Sequence, residues 1–145
     1  MDIYDIAIIG AGPAGSTLAK ELAKDTDLKI AIIDARPLNR KYKNKDLKKA
    51  CGGLLSPSAQ KFFAKKDILF PNKLLSNPKS FGVKTIDFNT NLKRTYQRLY
   101  LNMDREAFDR WLLEDLKNID KIFNDRVLNI EYNEIFKIEL LSRKE

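Results

Sequence analysis

Three glycines near the start of the chain have the spacing that a phosphate-binding turn requires. The stretch DIAIIGAGPAGSTLAKEL (residues 5–22) places Gly10, Gly12 and Gly15 directly after an apolar run. The first glycine permits a tight turn, the second lets a pyrophosphate approach the backbone, and the third lets the following helix pack closely on the strand. N–H groups at the start of that helix attract the phosphates. The predicted cofactor-binding residues of the turn are Gly10, Gly12, Pro13, Ala14 and Gly15.

An acidic residue completes this pattern further along the chain. Asp34 lies 19 residues after Gly15, at the end of a second apolar run, KIAIID. A carboxylate at this place accepts hydrogen bonds from ribose hydroxyls and disfavours a 2′-phosphate. The motif therefore predicts binding of an adenine dinucleotide, and its spacing leaves both NAD and FAD open.

Apolar periodicity predicts the elements that position the turn. Apolar runs within residues 3–9 and 29–34 are typical of buried parallel strands, and residues 14–24 have helical spacing with Leu18, Ala19 and Leu22 on one face. We therefore expect a dinucleotide-binding βαβ unit with parallel strands over residues 1–35. The predicted fold class is α/β, a Rossmann-like βαβ unit with an inserted β-hairpin and helix region.

The rest of the chain divides into two further segments that differ in composition and in apolar pattern. Residues 36–80 are expected to hold a basic loop and a Cys-Gly-Gly region, and residues 81–145 a β-hairpin, a helix and β-strands. The expected elements are a helix at 58–65, a hairpin at 81–101, a helix at 102–117, a strand near 121–124 and a hairpin at 127–140 that turns at Asn133-Glu134.

Composition excludes several classes of site. The chain has 145 residues, no histidine and a single cysteine, Cys51. Without histidine there is no Ser-His-Asp triad, and we expect no metal site of the usual Cys/His type. A lone cysteine forms no intramolecular disulfide, which favours a reducing, cytoplasmic location. Acids at positions 2 and 5 precede the first apolar run, so we predict no signal peptide.

The positive charge is concentrated in one segment. Residues 36–50 carry a net charge of +6 out of the chain's +7. A solvated loop is the simplest interpretation of such a run. Nucleic acid is an improbable partner because Tyr42 is the one aromatic residue in the segment and no recognition module accompanies it. Peripheral contact with an anionic membrane surface is the alternative that remains open.

Four stretches resemble known flavoproteins. GAGPAGS (10–16), followed by DARP (34–37), resembles the start of FAD-dependent enzymes related to p-hydroxybenzoate hydroxylase. KACGGLLSP (49–57) is similar to the Cys-Gly-Gly motif of the geranylgeranyl reductase family, and YLNMDREAFDRWLL (100–113) resembles that family's Arg-x-x-Phe-Asp-x-x-Leu helix. The resemblance runs over essentially the whole chain but covers only the N-terminal part of such an enzyme.

The resemblance implies FAD as the cofactor and gives a role to each matching residue. The glycine turn would hold the pyrophosphate, Asp34 the adenosine ribose and Arg36 a cofactor phosphate, which a guanidinium matches well. Arg105, at the start of the family helix, would also help to hold FAD. From the residues alone, the alternative for Arg36 is a solvated charge at the start of the basic loop, and the alternative for Arg105 is a surface charge in the first turn of the helix.

The same resemblance places the Cys-Gly-Gly loop near the flavin ring. Gly52 and Gly53 would let the backbone approach a flat ring, and Cys51 would be a candidate participant in reduction. The motif continues with Leu54 where many relatives have a third glycine, and this departure bears on the substrate and on the role of the cysteine. A cysteine without a chemical role is the alternative.

The implied reaction is hydride transfer from reduced flavin to an apolar substrate, such as an isoprenoid double bond. Three alternatives remain open: an NAD(P)-dependent dehydrogenase, an FAD-dependent aromatic monooxygenase or halogenase, and a non-catalytic nucleotide-binding remnant.

The length of the chain suggests an incomplete FAD/NAD(P)-binding fold. Members of the resembling family are much longer, and their second FAD motif lies downstream of the residues present here. We therefore expect a truncated N-terminal fragment that needs a missing C-terminal half or an oligomer partner for turnover. The apolar faces at Leu128/Ile130/Tyr132 and Phe136/Ile138/Leu140 are expected to lack covering layers.

Overall fold

The computed structural model describes residues 2–40, 51–114 and 116–143, with the backbone alone at Asp25 and Arg143. Most of the predicted basic segment, residues 41–50, lies outside the described residues. The strands are β1 (Ile6–Ile9), β2 (Ile30–Asp34), β3 (Leu54–Leu55), β4 (Ser80–Asp87), β5 (Leu92–Asn102), β6 (Ile119–Phe123), β7 (Val127–Asn133) and β8 (Ile135–Leu140). The α-helices are α1 (Pro13–Asp25), α2 (Pro57–Lys65) and α3 (Arg105–Trp111), and short 3₁₀ turns lie at Asn72–Leu74 and Leu141–Arg143.

The chain forms two compact units, which are described separately. The first unit comprises the described residues of Met1–Lys48 and Asp109–Glu145, and the second those of Lys49–Phe108. The boundary therefore falls within α3, between Phe108 and Asp109. No helix in the described part of the chain is long and apolar enough to cross a bilayer.

A parallel sheet in the order β1-β2-β6 forms the centre of the first unit. Ile6 of β1 and Ile119 of β6 both lie opposite Ile30 of β2. Because β2 is the middle strand, its residues Ile30 and Ile32 are almost completely buried, which explains the uninterrupted apolar run. The predicted α/β fold, the parallel βαβ unit and the third strand near residues 121–124 are confirmed.

Helix α1 packs on this sheet through small residues. Ala11, just before the helix, and Ala19 within it are completely buried in the core, and Gly15 lies midway between them. This row of small side chains, spaced by four residues, brings the helix axis close to the strands. Ala19 and Leu22 of the predicted apolar face pack on the core, but the prediction is wrong for Leu18, which flanks this row and is 50% exposed.

The amphipathic segment 102–117 forms a shorter helix than the sequence predicts. Helix α3 ends at Trp111, and the N–H groups of Leu113 and Glu114 donate to carbonyls three residues earlier. Such bonds tighten the chain into turns. Leu116 is still buried, so packing satisfies the apolar stripe without a continuous helix. The predicted length was wrong because hydrophobic spacing indicates burial and not the pattern of backbone hydrogen bonds.

A long antiparallel hairpin dominates the second unit. Strands β4 and β5 pair with Val83 opposite Tyr96, and β3 pairs with the other edge of β5. The hairpin predicted over residues 81–101 is confirmed, as is the short helix predicted at residues 58–65, which is α2.

An aromatic cluster forms the core beside α2. The Ser56 hydroxyl accepts a hydrogen bond from the N–H of Ala59 and so caps the start of the helix. Phe63 of α2 then packs edge-on against Phe70 and Phe108, with ring centroids 4.9 Å and 6.0 Å away. These contacts anchor α2 and the start of α3 within the second unit.

The hairpin of β7 and β8 in the first unit exposes most of its apolar residues. Its turn is at Asn133-Glu134, as predicted, and Glu134 has a φ of +61°. Tyr132 is 69% exposed and Phe136 is 72% exposed, which confirms the expectation of an uncovered face at the end of the hairpin. The expectation is wrong for Leu140, which is buried at the base of the hairpin.

Candidate nucleotide-binding site

The glycine turn connects β1 to α1 in the first unit. Gly10 has a φ of +100°, and its N–H donates to the carbonyl of Ile33 at 2.7 Å. A Cβ added to Gly10 would meet no atom within 4 Å, so the backbone conformation and not the space requires glycine there. At Gly15 the requirement is steric, because a Cβ would overlap the carbonyl oxygen of Gly10. The tight turn and the close helix packing expected of these two residues are both present.

The start of α1 has the features of an anion-binding helix terminus. Gly12 is the residue before the helix, Pro13 occupies its first position, and no side chain caps the N-terminus. The first turn also has no acidic residue. No carboxylate of the first turn therefore competes with a bound anion for the N–H groups at the start of α1 or for the positive end of its dipole. A pyrophosphate fits this arrangement, although the contacts of Pro13 and Ala14 with a cofactor remain predictions.

Asp34 ties the end of β2 to the glycine turn. Its Oδ2 accepts a hydrogen bond from the N–H of Ala11 at 2.8 Å, and its Oδ1 accepts one from the N–H of Arg36 at 2.9 Å. Burial by itself would raise the pKa of Asp34, but the hydrogen bonds from Arg36 and Ala11 and the charge of Arg36 hold that pKa below its ordinary value. Asp34 is therefore a carboxylate fixed beside the turn.

Arg36 joins Asp34 to a second carboxylate that the sequence reasoning missed. Its Nε and Nη2 donate to the two oxygens of Asp34, each at 3.0 Å, and its Nη1 donates to Oδ2 of Asp109 at 2.7 Å. Arg36 is 7% exposed and Asp109 is completely buried. Burial would lower the pKa of Arg36, but these hydrogen bonds and the two negative charges raise it. Phosphate binding by Arg36 stays a prediction, because its donors here meet carboxylates.

A second group of predicted residues lies together in the second unit. Cys51 is exposed, and Nη1 of Arg105 lies 3.4 Å from its Sγ. Gly53 has a φ of +70°, and its carbonyl accepts the N–H of Met103 at 2.9 Å. The sequence named Cys51 and Arg105 from separate motifs, and the structure brings the two side chains into contact. Their predicted roles toward a flavin are not tested by this contact.

We expect the two neighbouring glycines of this loop to differ in their tolerance of alanine. A Cβ on Gly53 would overlap the carbonyl oxygen of Met103, and the positive φ adds strain. Gly53→Ala should therefore lower the free energy of unfolding by about 2 to 4 kcal/mol. Gly52→Ala is the matched control, because a Cβ there meets nothing within 4 Å. Urea unfolding followed by circular dichroism measures both, and equal stability of the two variants would contradict the steric argument.

Comparison with protein families gives a match over nearly the whole chain. The model of the family described as "Lycopene cyclase protein" matches residues 5–140. Protein CbrA of Escherichia coli O139:H28 is 37% identical over 145 residues, an alignment that covers 99% of this chain and 39% of CbrA. The chain therefore spans about two fifths of the length of the curated relatives it matches.

Solved structures share the fold at lower identity. A geranylgeranyl bacteriochlorophyll reductase-like protein from Thermoplasma acidophilum matches with a TM-score of 0.66 and 23% identity, over 90% of this chain and 32% of that protein. PqsL of Pseudomonas aeruginosa, solved in complex with 2-aminobenzoylacetate, matches with a TM-score of 0.63 and 16% identity, over 96% of this chain and 39% of PqsL. The fold is that of FAD-binding oxidoreductases, and the predicted resemblance to flavoproteins of the geranylgeranyl reductase type is confirmed.

Proposed function

The chain belongs to the lycopene cyclase protein family, and from this premise we propose that it binds the adenosine diphosphate half of FAD. The observation that carries the proposal is the uncapped start of α1, which follows the open turn at Gly10 and lies beside the fixed carboxylate of Asp34. The start of α1 would bind the pyrophosphate, and Asp34 would accept hydrogen bonds from the ribose.

For the loop of the second unit we propose roles toward a flavin ring. The backbone at Gly52, where a Cβ would meet no atom within 4 Å, would approach the flat ring, and Gly53 would keep the loop in its turn. Arg105 would contribute positive charge, and Cys51 is a candidate reactant. The exposed Sγ and the contact with Arg105 support this assignment, because a neighbouring guanidinium stabilises a thiolate. Bound FAD would supply hydride transfer, and the protein would position it and exclude water.

The proposed reaction is a flavin-dependent reduction of an apolar substrate. The name of the family and that of the Thermoplasma acidophilum protein both refer to isoprenoid compounds, which supports a substrate of that class. Because the chain spans 39% of its relatives, we propose that turnover needs further sequence or a partner chain, and that these residues alone bind without catalysing. A cytoplasmic location and contact with an anionic membrane remain predictions from the sequence.

An aromatic monooxygenase is the second candidate reaction. PqsL is described as a probable FAD-dependent monooxygenase and shares the fold over 96% of this chain. An NAD(P)-dependent dehydrogenase or a non-catalytic remnant would keep the same glycine turn, so nucleotide preference separates them from a flavoprotein.

Isothermal titration of the purified chain with four nucleotides tests the proposal. We expect FAD and ADP to bind, with FAD at least as tight as ADP, and FMN not to bind, because FMN lacks the adenosine half. Tighter binding of NAD than of FAD would favour a dehydrogenase. Equal binding of FMN and FAD would contradict recognition at the glycine turn, and absence of binding by all four would remove the proposal.

A further inference from the structure

Every acceptor position of the Asp34 carboxylate is occupied by a donor of the protein itself. A carboxylate offers about four lone-pair positions. Oδ1 accepts from the N and Nε of Arg36, and Oδ2 accepts from the N of Ala11 and Nη2 of Arg36, at 2.8 to 3.0 Å. A ribose hydroxyl that binds Asp34 must therefore replace one of these four donors.

The guanidinium of Arg36 is the donor that can leave. The N–H of Ala11 belongs to the glycine turn, and the N–H of Arg36 lies two residues after Asp34 on the same backbone. Neither can move away without breaking the turn or the end of β2. The two side-chain bonds from Nε and Nη2 are released together by rotation of the Arg36 side chain, and this opens one position on each oxygen.

Release of the guanidinium would be costly without a second anion. Arg36 is 7% exposed, and a buried charge that loses its partner destabilises a protein strongly. Asp109 meets this need, because its completely buried carboxylate already accepts Nη1 of Arg36 at 2.7 Å, the shortest bond of the cluster. Two carboxylates thus share one cation, and either can hold it while the other takes different donors.

We propose that Asp109 is a positioning residue that retains the Arg36 guanidinium when Asp34 accepts the ribose hydroxyls of the nucleotide. The inference rests on the proposed binding of an adenine nucleotide at the glycine turn. Asp109 does not touch the nucleotide. It acts through Arg36, and its effect is confined to the ribose hydroxyls, because the pyrophosphate is held by the start of α1.

The test compares ADP with 2′,3′-dideoxy-ADP, which lacks both hydroxyls, by isothermal titration. We expect the wild-type protein to bind ADP at least about tenfold more tightly than the analogue. The analogue lacks the two ribose hydroxyls that would donate hydrogen bonds to the charged carboxylate of Asp34. In Asp109→Asn the guanidinium keeps Asp34 as its carboxylate partner in the cluster, so we expect this ratio to fall to about twofold or less. Arg36→Lys removes the two-pronged pairing with Asp34, and should keep the ratio or raise it.

Asp125→Asn is the matched control. Asp125 is a buried carboxylate of the same unit, and it accepts hydrogen bonds from Ser142 instead of Arg36. A general loss of stability lowers the affinity for both nucleotides equally, so this variant should keep the wild-type ratio.

Each outcome has one meaning. A wild-type ratio that persists in Asp109→Asn, or a loss of the ratio in Arg36→Lys, would overturn the inference and leave nucleotide binding intact. A ratio near one in the wild-type protein would do the same. Failure of both ADP and the dideoxy analogue to bind would overturn the proposed function and the inference together. If Asp109→Asn does not fold, Asp109→Ser takes its place and is judged in the same way: a fall of the ratio to about twofold or less supports the inference, and a wild-type ratio opposes it.

Discussion

Replacement of Gly15 by alanine is expected to disrupt the core of the first unit more than a methyl group added to any other residue of the nucleotide site. The added Cβ would overlap the carbonyl oxygen of Gly10 and lie 3.2 Å from Cγ2 of Ile8. The peptide group that carries this oxygen cannot move aside easily, because its N–H, which is that of Ala11, donates to Oδ2 of Asp34 at 2.8 Å. Helix α1 must instead shift away from the strands, which opens the packing of Ala19 against the core.

The expected cost of Gly15→Ala is at least about 3 kcal/mol of unfolding free energy, since overpacking in a rigid contact typically costs 1–3 kcal/mol and backbone displacement adds to it. That is a large share of the ~5–15 kcal/mol that stabilises an ordinary domain. Urea unfolding followed by circular dichroism gives the value. Affinity for ADP should fall with it, because the start of α1 moves.

Gly10→Ala separates steric overlap from backbone strain. A Cβ on Gly10 has open space, and its cost is the positive φ alone, about 1–2 kcal/mol. We therefore expect Gly10→Ala to be the milder substitution. The steric account fails if Gly15→Ala unfolds at the same urea concentration as the wild-type protein, or at a higher one than Gly10→Ala.

The sequence predicts the βαβ unit well because local patterns decide it. The apolar run of β2 reflects its central place in the sheet, and the glycines at positions 10 and 15 are required by the turn and the helix packing that they form. The residues that determine the order of these elements, the burial of the strands and the conformation of the turn lie close together in the sequence. Such features can be predicted from spacing and residue type.

The carboxylate cluster could not be predicted in the same way. Arg36 and Asp109 are 73 residues apart, and no periodicity relates the end of one strand to a position inside a later helix. The Phe-Asp pair of the family helix was visible as a motif, but the sequence carries no sign of what the aspartate contacts. Burial was the missing information, because the sequence predicts a phosphate contact or a solvated charge for Arg36, whereas this residue is 7% exposed and pairs with carboxylates.

Replacement of Arg36 by methionine is the second substitution with a large expected effect. Methionine has a similar length but removes the cation between the Asp34 carboxylate, whose side chain is 9% exposed, and the completely buried carboxylate of Asp109. Removal of one partner from a buried ion pair typically costs 3–5 kcal/mol, and we expect a loss of that size at pH 7. Arg40→Met is the matched control, because Arg40 is exposed and a surface cation should contribute less than about 0.5 kcal/mol.

The loss in Arg36→Met should depend on pH in a defined direction. In the wild-type protein the pKa of Asp34 is held below its ordinary value, so the stability it contributes is complete above about pH 4 and is lost as the pH falls through the lowered pKa. Without the guanidinium, only the N–H groups of Ala11 and of residue 36 still oppose the effect of burial, so the pKa of Asp34 should be higher in the variant than in the wild type. Protonation of Asp34 then costs the variant less stability than it costs the wild type. Urea unfolding at pH 7 and at about pH 3 should therefore show the stability difference shrinking in acid, whereas a constant difference would mean that the cost comes from packing and not from the uncompensated carboxylates.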